Sequence, residues 1–198
     1  TRDRFGYWLV HCPLPNPPVF RGRVLPEEMV LIGTASSNMR IAVGSDHRGS
    51  ALRHKVIVFL EGLGVHVVDV GVDSANAVDY PEIAANVARQ VSEKLVDRGI
   101  LICGSGLGMA IVANKFPGVR AAPCHDEITA EVSRRHNDLN VLCLAADILG
   151  PKLADRLVDV WLRTEFEGDR HLRRIRKIAE LECRNGRHEA SFPHPKRV

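Results

Sequence analysis

From Met39 onward the chain repeats one pattern five times: an apolar run of strand length, then a stretch of helical period. The runs are RIAVGS (40–45), VHVVDV (65–70), GILICG (99–104), VRAAPC (119–124) and NVLCLA (140–145). Near-continuous apolar strands, as opposed to alternating ones, belong to a parallel sheet covered by helices on both faces. Helices are expected near 49–62, 81–97, 107–115, 126–136 and 151–163, and a last one, dense in arginine, near 170–183. The expected fold class is α/β, a three-layer αβα sandwich with a five-stranded parallel, Rossmann-like sheet. Such sheets bind ligands outside the carboxyl ends of their strands, so the chemistry should lie in the loops that leave those ends.

Composition narrows the class further. At 198 residues, 45% hydrophobic and 26% charged, the chain is neither a disordered tail nor a fibre. No apolar run approaches the roughly 20 residues a membrane span needs. A formal charge of +3 is small for a nucleic-acid coat protein, and aromatics that could stack on bases make up only 5%. Cysteines stand at 12, 103, 124, 143 and 183, an odd count without a CxxC pair, which suits a reducing cytoplasm better than a disulfide framework or a zinc knuckle. Residues 1–38, with Pro13, Pro15, Pro17 and Pro18 close together, read as an extension, disordered or loosely packed. Asp3, Glu27, Glu28 and the prolines spoil the amphipathic helix of a transit peptide. Residues 39–183 form the expected domain, and 184–198 have the composition of a frayed tail.

The third apolar run leads into ICGSGLGMAIVANK. Gly104, Gly106 and Gly108 let backbone amides approach a ligand, and a helix starting there adds its positive end, so the loop reads as an anion cradle or as a structural turn. Cys103 stands directly before this loop and Ser105 within it. A thiol beside a helix N-terminus has its thiolate favoured and can serve as nucleophile or base near neutrality. Cys124 and Cys143 are expected to be small core hydrophobes. Asp46 and His47 reach the same sheet edge from the first run. Asp79 is a candidate cap with Pro81 in the first turn, and Tyr80 either packs or lines a pocket. His136 and Asn137 precede the fifth run, at the opposite end of that unit from Cys103, so any shared chemistry would cross a subunit interface. Arg170 and Arg174, four apart, share a helix face and can converge on one phosphate, or else form a solvated basic face. A dinucleotide fingerprint is the rival reading of GSGLG, with Asp126 as ribose-binding acid, but Met109 stands where its third glycine belongs.

Taken together, GSDHRG, DYP, ILICGSGLGMAIVANKFPGVRAA, SRRHNDLNVL and EGDRHLRRI resemble, in order and spacing, the type B ribose-5-phosphate isomerases, a family that includes galactose-6-phosphate isomerase subunits. The resemblance covers roughly residues 39–182. It implies a metal-free, cofactor-free aldose–ketose isomerisation of a phosphorylated sugar through an enediolate. Cys103 matches the base at carbon 2. The amides of Gly104, Gly106 and Gly108 with the Ser105 hydroxyl match the oxyanion stabiliser, His136 the ring-opening acid/base, and Asp46 an assisting group. Asn137 matches a sugar ligand, and His47, Arg170 and Arg174 the phosphate clamp. Sites of this family are shared between two subunits, so the resemblance implies a homodimer as the minimum unit or a tetramer made of two such dimers, a small-molecule substrate, and neither nucleic-acid nor membrane partners. One branch of the family places Glu after the glycine loop, where this chain has Met109. Asp147 stands where members commonly carry Arg, which opens the choice among tetrose, pentose and hexose phosphates. A sensor that binds sugar phosphate without turnover, and an oxidoreductase using NAD or NADP, are the alternatives.

Overall fold

The computed structural model describes residues 39–72 and 78–185, so the extension at 1–38 and the tail beyond Asn185 lie outside the described residues. All but the end of the last helix belongs to one compact unit, Thr34–Glu182. Its elements run β1 (Arg40–Ser45), α1 (Ser50–Gly62), β2 (His66–Asp69), α2 (Tyr80–Ser92), β3 (Arg98–Cys103), α3 (Leu107–Ala113), β4 (Ala121–Pro123), α4 (Glu127–Asn137), β5 (Val141–Ala145), α5 (Pro151–Arg163) and α6 (Asp169–Asn185). All four pairings are parallel, in the order β2-β1-β3-β5-β4.

Side-chain alternation in the central strands divides the core. Ile41, Val43, Ile100, Ile102, Leu142 and Leu144 pack with Leu52, Val56 and Leu60 of α1 and Leu157 and Trp161 of α5. The residues between them, Ala42, Leu101, Cys103, Val141 and Cys143, face Ile83 and Val87 of α2 and Met109 and Ala113 of α3. Each large apolar side chain buried this way contributes roughly 1.5–3 kcal/mol, so β1, β3 and β5 are the rigid base on which the strand-end loops stand.

Most boundaries lie within a residue or two of the expected ones, and two elements are cut short for identifiable reasons. Helix α2 stops at Ser92 and not near 97, because Lys94 turns to φ 58° and the Leu95 N–H returns to the Gln90 carbonyl at 2.9 Å. Strand β4 shrinks to Ala121–Pro123: it pairs only with β5 on the sheet's edge, where Pro123 has no N–H to offer a further neighbour.

Candidate active site

In this strand order the chain leaves β1 toward β2 on one side and returns to β3 on the other. The crevice at the carboxyl ends of β1 and β3 is therefore the place where open α/β sheets bind ligands. Asp46 enters it from β1. Its Oδ1 accepts the N–H groups of Arg48 at 3.0 Å and Gly49 at 3.1 Å, and its own N–H donates to the Ile102 carbonyl at 3.3 Å, lacing the β1–α1 turn to β3. Cys103 ends β3, buried, with its Sγ accepting the Gly106 N–H at 3.2 Å. That bond bends the loop back over the sulfur and uses Gly106 at φ 75°, a conformation that disfavours an L side chain by about 1–2 kcal/mol. The Ser105 Oγ accepts the Leu107 N–H at 3.3 Å, which leaves its hydroxyl proton to donate outward. Tyr80, at the start of α2, lies so close to Gly108 that a Cβ there would stand 2.7 Å from its ring. The His47 Nδ1 accepts the Val78 N–H at 3.4 Å.

The same edge holds an ion pair, Arg48 with Asp147, whose side chains are 58% and 44% exposed. Such a pair contributes roughly 0–1 kcal/mol to stability.

A second cluster forms at the other end of the sheet. Helix α4 ends at Asn137 just before β5 begins, so His136 lies at the strand starts, separated from Cys103 by roughly the 15 Å that five strand residues span. His136 stacks on His171 of α6, with centroids 4.2 Å apart and rings 7° from parallel. Glu167 Oε2 stands 3.7 Å from the Nε2 of His136 and 3.6 Å from that of His171. Arg135 holds the same carboxylate, its Nε donating to Oε1 at 2.7 Å, and this bond keeps Glu167 below the usual carboxylate range. Arg170 Nε faces the His171 Nε2 at 3.2 Å. His136, Glu167 and His171 offer donor atoms within 4.8 Å of one another, the grouping a divalent ion would need. Because Arg135 occupies the carboxylate and Arg170 the imidazole, the cluster is read as a stacked, ion-paired unit.

Burial, aided by the charges of His136, Arg170 and Arg174, pushes the His171 imidazole below its usual pKa of 6.5, against the opposite pull of Glu167. Its folded pKa is thus below its unfolded one. The stability contribution is complete above about 6.5 and is lost as pH falls through that value toward the folded pKa. Glu167 stays ionised through this window. We expect the thermal midpoint to fall on acidification from about pH 8 to about pH 5.5, and to fall less in His171→Gln. Equal slopes in melting curves of the two proteins would refute this.

The crevice thus gathers Asp46, His47, Tyr80, Cys103, Gly104, Ser105, Gly106 and Gly108, while His136, Asn137, Arg170 and Arg174 stand apart on α4 and α6. Gly106 differs in detail from expectation, its N–H serving the Cys103 sulfur. Asp79 occupies the α2 N-cap position without a side-chain capping bond. Asp126 is committed to a capping box on α4, accepting the Thr129 N–H at 2.7 Å, and Met109 is fully buried. Cys124 and Cys143 are buried core residues, their thiols pushed up by burial. Sequence reasoning missed Glu167 and His171. Their spacing of four on the approach to α6, with His171 directly beside Arg170, was the available signal.

A glycine loop that wraps a cysteine sulfur at the switch point of a parallel sheet defines an α/β protein with a ligand crevice at its strand ends. The profile of the ribose/galactose isomerase family matches residues 41–178. Ribose-5-phosphate isomerase B of Escherichia coli is 45% identical over 145 residues, 73% of this chain and 97% of the relative. D-erythrulose-4-phosphate isomerase of Pectobacterium atrosepticum is 38% identical over 146 residues, 73% of this chain and 95% of the relative. The solved ribose-5-phosphate isomerase B of Clostridium thermocellum superposes with TM-score 0.72 at 46% identity, covering 74% of this chain and 99% of that one. The chain belongs to the ribose/galactose isomerase family, and it is a sugar isomerase.

Proposed function

We propose that the protein interconverts ribose 5-phosphate and ribulose 5-phosphate in sites shared between two copies of the chain. The observation that carries this reading is Cys103 at the β1/β3 switch point, its sulfur wrapped by the glycine loop. Ring opening uses His136, and Asn137 binds the sugar, both from the second copy. Asp46 assists at the ring oxygen. The Cys103 thiolate removes the proton from carbon 2, the C–H pair forms the C1=C2 double bond, and the former carbonyl oxygen takes the charge. Donors of the loop, the amides of Gly104 and Gly108 with the Ser105 hydroxyl, stabilise that oxyanion. The thiol then returns the proton to carbon 1, while the hydroxyl on carbon 2 loses its proton to oxygen 1 and becomes the ketone. His47, together with Arg170 and Arg174 of the second copy, holds the phosphate away from the reacting carbons, binding energy that supports the transition state.

Two copies are needed because one chain separates Cys103 from His136 by the length of the sheet. Apolar stripes support such pairing: Leu107 and Ile111 on α3, and Ile128 and Val132 on α4, are exposed in the single chain. A homodimer is the minimum, and dimers can pair into tetramers. The free thiols of Cys103, Cys124 and Cys143 fit a cytoplasmic setting. No helix among the described residues is long and apolar enough to cross a membrane. A second reading, a tetrose phosphate as substrate, is favoured by the erythrulose-4-phosphate relative. Purified protein incubated with ribose 5-phosphate in deuterated water is expected to yield ribulose 5-phosphate and to label carbon 1 or carbon 2. Absence of both product and label, with erythrose 4-phosphate turned over instead, would move the assignment to the tetrose.

A further inference from the structure

The ion pair of Arg48 with Asp147 is half-exposed and adds little to stability, yet it spans a particular place. In the sheet β3 lies between β1 and β5. Arg48 follows β1 and Asp147 follows β5, so their pair crosses over the carboxyl end of β3, directly above the residue after Cys103. A Cβ on Gly104 would stand 2.7 Å from Asp147 Oδ2 and 3.0 Å from Arg48 Nε, and the Asp147 N–H donates to the Gly104 carbonyl at 3.1 Å. Arg48 also directly follows His47, and its guanidinium stands against Gly104, the residue after Cys103.

We infer that Arg48, oriented by Asp147, is a specificity-determining residue that donates to hydroxyls on the middle carbons of the sugar phosphate and limits its length. This rests on the isomerase reading above. An ion-paired guanidinium has little net charge left for a phosphate but keeps N–H donors, and those suit neutral hydroxyls. The pair follows both flanking strands and sits against the glycine backbone, so it restricts the space above Gly104, next to Cys103. One further carbon in the sugar has to displace it. Asp147 is a positioning residue, acting through Arg48.

The experiment compares kcat and KM for ribose 5-phosphate and D-allose 6-phosphate, which keeps the ribose stereochemistry at carbons 2 to 4 and adds one carbon. Arg48→Ala and Asp147→Ala are each expected to raise KM for ribose 5-phosphate with less change in kcat. Each should also shift the kcat/KM ratio toward the hexose by about tenfold or more, the scale of a one-carbon discrimination. The double variant should resemble either single one, since the two act as a unit, and Arg48→Lys should recover part of the pentose preference. A wild-type enzyme active on ribose 5-phosphate, with KM and the ratio within about twofold in all variants, overturns this inference alone. Wild-type protein inactive on every sugar phosphate overturns the isomerase reading with it.

Discussion

Replacing Cys103 by Ala is expected to lower kcat/KM for ribose 5-phosphate by about 1,000-fold or more, at the upper part of the range for losing a positioned general base. The fold should survive. Cys103 is buried on the α2/α3 side of the sheet, and Ala differs from it by one sulfur atom, so the expected destabilisation is on the order of 1 kcal/mol. Cys103→Ser sharpens the test. A serine oxygen can still accept the Gly106 N–H that now goes to sulfur at 3.2 Å, so the loop keeps its shape. A hydroxyl, however, does not ionise near neutrality as a thiol does, so the serine protein should be as inactive as the alanine one and lose deuterium exchange at carbon 2. If Cys103→Ser kept more than about a tenth of wild-type turnover, the sulfur would be only a loop anchor and the base would lie elsewhere.

The half of the site that contains Cys103 was legible in the sequence because local chemistry forms it. A strand long enough to reach the sheet edge, a cysteine at its end and glycines two apart suffice to bring backbone amides around the sulfur. The parallel sheet was legible for a similar reason, since strands buried on both faces must be apolar throughout. What local pattern could not supply was partnership across the fold. Arg48 and Asp147 are 99 residues apart, and only the order β1-β3-β5 makes them neighbours. Glu167 reads as one acid in a polar loop until Arg135, His136 and His171 close around it. The stacking of His136 on His171 depends on α5 carrying the chain back to the strand starts, a consequence of topology that composition and periodicity do not record.

That topology leads to the prediction with the most distinctive outcome. Cys103 and His136 sit at opposite ends of the strands in one chain, so under the proposed mechanism a complete site takes Cys103 from one copy and His136 from another. Cys103→Ala and His136→Ala should each be nearly inactive as purified homodimers, because each then lacks one essential group in both sites. When the two are mixed under conditions that let subunits exchange, half of the dimers are mixed at equilibrium. In a mixed dimer one site receives both defects and the other neither, so activity should rise from near zero to about a quarter of the wild-type value. Size-exclusion chromatography would verify that dimers form, and native mass spectrometry with one variant isotope-labelled would verify that they exchange during the mixing. If Cys103 and His136 served one site within a single chain, every site in every mixture would carry one defect or the other, and no activity would return. Recovery near a quarter therefore reports the shared site directly, and a flat mixing curve with demonstrated exchange would eliminate it.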